Sequence, residues 1–168
     1  MYQNYYHYAK VWNQPVISSD GSLGGNSFAT YSNSIYSDSA VTCSPYKAFD
    51  NNTSTFFHTQ TSKIADGYLI FYNPLWLKIN KITIINRSEY AWSCKQGQLL
   101  ASNDNINYIP IANYTNTITD AGKVWEFEVN NKIGYKYFKF TCVSGIQTDV
   151  FCFAEMKITA NIATPIII

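Results

Sequence analysis

Residues 77–86, with the sequence LKINKITIIN, carry the clearest β-strand signal in the chain. Apolar and polar residues alternate there, and the middle of the segment directs apolar side chains to both faces, which predicts a strand covered on both sides. Turn-forming Asn, Asp and Gly residues separate this segment from the other short strand candidates. Those candidates lie at residues 68–72, 98–102, 108–112, 124–129, 137–143 and 150–160. Such a series of short strands predicts an all-β fold, a β-sandwich or jelly roll.

The composition favours the same fold class. The chain has 168 residues, which is the length of one ordinary domain. Charged residues make up 14% of the chain, and it contains 14 Tyr, 10 Phe and 4 Trp. An average soluble domain is roughly 25% charged, so this chain is unusually poor in charge. Aromatic residues and Thr suit pleated strands better than helices.

Charge and motif content exclude several classes of function. A formal net charge of +1 argues against nucleic-acid binding through a broad basic face and against a polybasic membrane anchor. The first residues lack the pattern of a secretory signal, and no apolar run approaches the roughly 18 residues of a membrane span. The chain has 2 His and no G-x-S-x-G, H-E-x-x-H or P-loop pattern. We therefore expect a protein that is not an enzyme.

The four cysteines, Cys43, Cys94, Cys142 and Cys152, show no C-x-x-C spacing. A zinc site is therefore not expected. In the absence of a signal peptide they are interpreted as reduced, buried, small apolar residues. The alternative is a disulfide between Cys142 and Cys152, which lie in neighbouring strand candidates.

Residues 47–58, with the sequence KAFDNNTSTFFH, concentrate oxygen-bearing side chains in a short space. Asp, two Asn, Thr, Ser and Thr fill the six positions from 50 to 55, between apolar Phe49 and Phe56. Hard cations such as Ca²⁺ take 6–8 oxygen ligands. A turn closed by Asx hydrogen bonds fits the same residues, so spacing alone leaves both interpretations open.

This segment also resembles the "A-x-D-G-n-x-x-T-x-W-h" signature of factor V/VIII C-type (discoidin-like, galactose-binding-like) domains, which include carbohydrate-binding modules. Further pieces follow in the order of that family, and the resemblance covers residues 15–160. It implies an eight-stranded jelly-roll β-sandwich. The pieces are residues 82–87 (ITIINR), 99–111 (LLASNDNINYIPI), 137–141 (YFKFT) and 153–158 (FAEMKI).

The resemblance implies a structural calcium site that joins this loop to the last strand. Asn51 stands where the family usually has Gly, and Asn tolerates a left-handed turn. The alternative is a loop held by Asx hydrogen bonds without metal. The implied ligands are the carbonyl oxygens of Lys47 and Ala154 and the side chains of Asp50, Asn52, Thr55 and Glu155.

The resemblance further implies a glycan-binding rim in the loop that contains Asn86, Arg87, Tyr90 and Trp92. An Arg fork donates hydrogen bonds to sugar hydroxyls, and aromatic faces stack on sugar rings. Arg87 has an alternative role as a structural partner of Glu89. The His that the family uses as a galactose ligand is replaced here by Gly67, which weakens the case for galactose itself.

Both ends of the chain are interpreted as surplus to the sandwich. Residues 1–14 form an aromatic-rich extension, a docking arm, and residues 161–168 form an apolar tail ending in Ile-Ile-Ile. Surplus apolar surface is typical of assembly interfaces, so we expect an oligomer or a larger particle.

Residues 15–29 (PVISSDGSLGGNSFA) resemble the lead-in of discoidin-like domains in tail and fibre proteins of gut bacteriophages. The resemblance implies a bacteriophage virion protein that displays a glycan-binding domain for host adhesion, with a cell-surface glycan and other virion proteins as partners. The alternative is a structural capsid or tail decoration protein that uses the same fold without binding sugar.

Overall fold

The computed structural model describes residues 10–20, 28–32, 43–60, 64–89, 93–146 and 150–164. No helix in these ranges is long and apolar enough to cross a membrane. The ranges contain a short 3-10 helix, Pro45–Phe49, and the strands β1 (Lys10–Trp12), β2 (Ala29–Tyr31), β3 (Phe57–His58), β4 (Tyr68–Ile85), β5 (Ser93–Ser102), β6 (Ile109–Thr115), β7 (Val124–Glu128), β8 (Tyr135–Ile146), β9 (Cys152–Phe153) and β10 (Glu155–Ile162). The prediction of an all-β sandwich is confirmed.

β4 has 18 residues and takes part in two sets of antiparallel pairings. Its first half, residues 68–72, pairs with β2 and β8. Its second half, residues 77–85, pairs with β10 and β7. β8 continues to β5 and β6, and β10 continues to β1. The strands therefore form a first layer, β2-β4-β8-β5-β6, and a second layer, β1-β10-β4-β7, with β4 in both.

The two halves of β4 meet at Asn73 and Pro74, where the register with β8 shifts. Proline has no N–H to donate to a neighbouring strand, so regular pairing cannot continue through it. The side-chain Oδ1 of Asn73 accepts the N–H of Leu75 at 2.9 Å and replaces a missing backbone partner. The strand bends there and passes from one layer to the next.

The core lies between the layers and is built mainly from alternate residues of each strand; Ile70 of β4, which faces the other side, is also buried at 4% exposure. Leu69 and Phe71 from the first half of β4 and Ile82 and Ile84 from the second half are at most 1% exposed. The opposite side of the second half carries Lys81 and Thr83, which are half-buried. The expectation that residues 77–86 are covered on both faces is therefore wrong, because this layer has the core on one side only.

A disulfide joins Cys94 of β5 to Cys142 of β8. The interpretation of these two residues as reduced is wrong, and so is the alternative pairing of Cys142 with Cys152. Cys94 and Cys142 lie on directly paired strands, whereas Cys152 lies in β9, which pairs with β3. Cys43 and Cys152 form no disulfide and are buried, as expected.

Both boundaries expected for the sandwich need correction. At the N-terminal side, β1 pairs with β10, and Trp12 is 6% exposed with its ring 5.8 Å from that of Phe71. Gln14 extends this pairing, since its side-chain amide donates to the carbonyl of Met156 and accepts the N–H of Ile158. Residues 10–14 therefore belong to the sandwich.

At the C-terminal side, β10 runs to Ile162, and buried Ala163 donates its N–H to the carbonyl of Trp76 at 2.8 Å. The sandwich thus extends past residue 160. The docking role predicted for the chain ends falls largely on residues 1–9 and 165–168, which lie outside the described residues, and it stays a prediction.

The position of Trp12 gives a test of the corrected N-terminal boundary. Trp12→Ala removes a buried ring from the core and is expected to lower the free energy of unfolding by about 3–5 kcal/mol. Val11→Ala is the matched control, because Val11 is 66% exposed and surface changes usually stay within about 0.5 kcal/mol. Urea unfolding measures both. Equal stability of Trp12→Ala and wild type would restore the boundary at residue 15.

Candidate functional site

The loop at residues 50–56 follows the 3-10 helix and is closed by the side chain of Asp50. Asp50 Oδ1 accepts the N–H of Asn52 at 3.0 Å, and Oδ2 accepts the hydroxyl of Thr55 at 2.7 Å. The N–H of Thr55 donates to the carbonyl of Asn52 at 3.1 Å. Asn51 has φ of 58°, the left-handed conformation that Asn tolerates. The Asx hydrogen bonds expected for this loop are therefore present.

Glu155, at the start of β10, supplies a second carboxylate to the same place. It is 2% exposed, and its Oε2 has no hydrogen-bond partner. Burial, and to a lesser extent the charge of Asp50, raise the pKa of Glu155 to about 8, although the backbone N–H groups of Asn52 and Asn51 and the charge of Lys157 act in the opposite direction. Two carboxylates thus face each other with one buried oxygen unsatisfied.

This donor set fits a hard cation. The described residues hold no cluster of three or more His, Cys, Asp or Glu side chains, so an ion here would be ligated by two carboxylates and by hydroxyl or carbonyl oxygens, the chemistry that Ca²⁺ takes. One feature competes: the ammonium of Lys47 lies 3.6 Å from Asp50 Oδ2. Ala154 is fully buried, and its N–H donates to the carbonyl of Ile85 at 2.9 Å.

Of the four residues expected in the glycan rim, Asn86 has a structural role instead. It is 1% exposed. Its Oδ1 accepts the indole N–H of Trp125 at 3.0 Å, and its Nδ2 donates to the carbonyls of Asp120 and Ile118 at 3.0 and 3.3 Å. Both ends of the amide are used inside the protein, so the expectation that Asn86 contacts a ligand is wrong.

The side chain of Arg87 lies in the same region, where it is 14% exposed and packed against an aromatic ring. Its guanidinium carbon is 3.6 Å from the ring centroid of Phe56, and its Nη2 is 3.2 Å from Glu89 Oε2. The alternative considered for Arg87, pairing with Glu89, is thus present, although the Glu89 side chain is 70% exposed. The pair joins a largely buried guanidinium to an exposed carboxylate, and because water screens the carboxylate the pair contributes little to stability. Tyr90 and Trp92 lie outside the described residues, and their role stays a prediction.

A pocket of about 180 Å³ opens beside Arg87, and its lining combines the two loops that the sequence singled out separately. In the sequence, Phe56 marks only an apolar boundary of the oxygen-rich loop, and Thr53 and Ser54 are only part of that loop. Their contribution was missed because nothing in the spacing tells which distant segment meets the loop. The lining residues are Thr53, Ser54, Phe56, Arg87, Ser88 and Glu89.

His58, two residues beyond Phe56, does not face this pocket as a ligand. It is 5% exposed, and its Nδ1 contacts the carbonyl of Thr59. Burial lowers the pKa of His58, and the positive charge of Arg87 lowers it further. His58 is therefore a buried side chain and not a ligand in this pocket.

No protein-family model and no curated protein matches this sequence. Solved structures do match. An F5/8 type C domain from Bacteroides fragilis superposes with a TM-score of 0.68 at 12% identity, over 82% of this chain and 93% of that one.

Two carbohydrate-binding modules from Clostridium perfringens are also similar. A CBM32 module in complex with GalNAc-β-1,3-galactose gives a TM-score of 0.64 at 18% identity, over 80% of this chain and 94% of that one. The family 32 module of NanJ in complex with galactose gives 0.65 at 18% identity, over 79% and 93%. The expected fold is thereby confirmed: the chain is a discoidin-like β-sandwich of the kind found in F5/8 type C and CBM32 domains.

Proposed function

We propose that this domain is a non-catalytic recognition module that binds a cell-surface glycan in the pocket beside Arg87. The observation that carries the proposal is the stacking of the guanidinium on Phe56 at the wall of that pocket. Stacking fixes the plane of the fork, and a fixed fork loses little freedom when it donates hydrogen bonds to a ligand. The hydroxyls of Thr53, Ser54 and Ser88 add donors and acceptors around it.

This chemistry suits a sugar better than a charged ligand. The pocket contains one guanidinium and one carboxylate, from Arg87 and Glu89, so its net charge is close to zero. A neutral sugar offers vicinal hydroxyls that both donate and accept. Two domains of the same fold were solved with galactose and with GalNAc-β-1,3-galactose, which supports a glycan ligand. Because Gly67 replaces the galactose-binding His of the family, the proposal names the ligand class and not galactose alone.

Arg87→Gln tests the pocket. This change removes the planar fork, and hydrogen bonds from charged donors are each worth about 1.5–3 kcal/mol, so binding on a glycan array is expected to weaken at least roughly tenfold. Lys81→Gln is the matched control, because Lys81 lies on the outside of the second layer. Melting curves confirm that both variants fold. Unchanged glycan binding by folded Arg87→Gln would reject the pocket as the site.

We also propose that Asp50, Asn52, Thr55 and Glu155, with carbonyl oxygens of Lys47 and Ala154, hold a structural calcium ion. The unsatisfied Oε2 of Glu155 beside a second carboxylate supports this proposal. Bound calcium would favour the ionised form of Glu155, compensate the charge of both carboxylates and tie the loop at residues 50–56 to β10. It would thereby stabilise Phe56, which forms the wall of the proposed glycan pocket.

Calcium is therefore expected to raise the melting temperature by mass action. At about one hundred times its Kd it adds about 2.7 kcal/mol to the free energy of unfolding. Asp50→Ala is expected to abolish this gain, whereas Glu128→Ala, an exposed carboxylate on β7, keeps it. Differential scanning calorimetry with calcium and then with chelator provides the measurement. A melting temperature that chelator and calcium leave unchanged argues for the loop held by hydrogen bonds alone.

We further propose that the domain is displayed on a bacteriophage particle. The resemblance of residues 15–29 to lead-in segments of phage tail and fibre proteins supports this, together with a chain rich in Asn, Ile and Tyr. Purified particles are expected to carry the protein after density-gradient sedimentation. Its absence from particles contradicts the proposal. Its presence on particles, combined with a blank glycan array, favours the structural decoration protein instead.

A further inference from the structure

The outer side of the first layer is rich in tyrosine. Antiparallel sheets with one face on the core usually present polar residues on the other. Here five tyrosines surround one lysine, and we call this surface the tyrosine face. Its residues are Tyr31 of β2, Tyr68 and Tyr72 of β4, Tyr137 and Lys139 of β8, and Tyr108, which immediately precedes β6.

The rings lie close together across neighbouring strands. Tyr72 and Tyr137 are direct cross-strand partners with ring centroids 4.7 Å apart, and Tyr31 and Tyr68 are 6.0 Å apart. Between them, the ammonium of Lys139 lies 4.3 Å from the ring centroid of Tyr68 and 4.9 Å from that of Tyr108. The tyrosine face is thus one continuous patch that reaches from β2 to the start of β6.

The second layer provides an internal comparison. Its outer side carries Lys81, Thr83 and Glu126, with Lys81 3.0 Å and the Thr83 hydroxyl 3.4 Å from Glu126. That surface is mostly polar, and one of its lysines, Lys81, is paired with a carboxylate. The same fold therefore does not require tyrosines on an outer face, and the tyrosine face calls for another reason.

Cross-strand tyrosine pairs stabilise a sheet by about 0.2–1 kcal/mol each, which accounts for part of the pattern. It does not account for Lys139. Among the described residues Lys139 forms no ion pair, and burial lowers its pKa because its charge is partly removed from water. Cation–π contacts compensate only partly for this loss. A partner with a negative charge would complete the site.

We propose that the tyrosine face binds a carboxylate-bearing polysaccharide, with the carboxylate paired to Lys139 and the sugar rings stacked on the tyrosines. Tyr rings present an apolar face and a hydroxyl, which together match a sugar ring with its hydroxyls. Strands lie about 4.8 Å apart, so the four steps from β2 to β6 make the face roughly 19 Å wide. That width suits an extended chain. The proposal is independent of the pocket beside Arg87, which lies in loops.

The test measures the affinity of the full chain for polygalacturonate, alginate and polysialic acid by isothermal titration calorimetry. Methyl-esterified polygalacturonate is the neutral counterpart. Lys139→Met keeps the length of the side chain and removes the charge, and it is expected to weaken binding of at least one acidic polymer by roughly tenfold or more. Lys139→Arg keeps the charge and is expected to restore binding. Lys81→Met, on the second layer, is expected to change nothing.

A second variant guards against loss of folding. Tyr31 is 46% exposed on a short strand. Tyr31→Ser is therefore expected to keep the melting temperature near that of the wild type and to weaken the binding of acidic polymers about tenfold. Binding of neutral glycans that depends on Arg87 is expected to persist in both variants. The experiment therefore distinguishes a failure of the tyrosine-face proposal from a failure of the Arg87 pocket proposal. The proposal is overturned if none of the acidic polymers binds, if Lys139→Met binds like wild type, or if Tyr31→Ser changes only self-association in sedimentation.

Discussion

The bend in β4 at Asn73 and Pro74 is the constraint on which the rest of the structure depends. One strand supplies the pairing edges for both layers, so the position of the bend decides which residues face the core in each. Before the bend, β4 meets β2 and β8, and after it β10 and β7. The tyrosine face lies outside the first half of β4, and the loop with Arg87 follows the second half.

The two proposed sites in the loops are linked through that second half. Ile85, the last residue of β4, is the register partner of Glu155 and accepts the N–H of Ala154. Arg87 follows two residues later and stacks on Phe56, which comes directly after Thr55 of the oxygen-rich loop. A cation held by Asp50 and Glu155 would therefore stabilise both the loop and the strand end that present the sugar pocket.

Sequence reasoning succeeded where local pattern is decisive. Alternation predicted the strands, the oxygen-rich segment predicted a tight loop, and the family resemblance implied a left-handed turn at Asn51. It failed where the outcome depends on which distant segments meet. Asn86 is a residue type that often contacts ligands, but its side-chain amide is fully hydrogen-bonded to the Trp125 indole and to two backbone carbonyls. Cys94 pairs with Cys142 because β5 and β8 are neighbours, and sequence spacing contains no record of strand order. Trp12 was assigned to an extension because three residues are too few to show a period.

The pairing of β1 with β10 also fixes where the chain enters and leaves the domain. Lys10 is the register partner of Ile162, and Cα atoms of such partners lie about 5 Å apart. The first strand and the last strand of the sandwich therefore begin and end at neighbouring points. A short peptide between these two points would permit circular permutation, and the domain has the geometry needed for insertion into a surface loop of a host protein without separating the two halves of that loop.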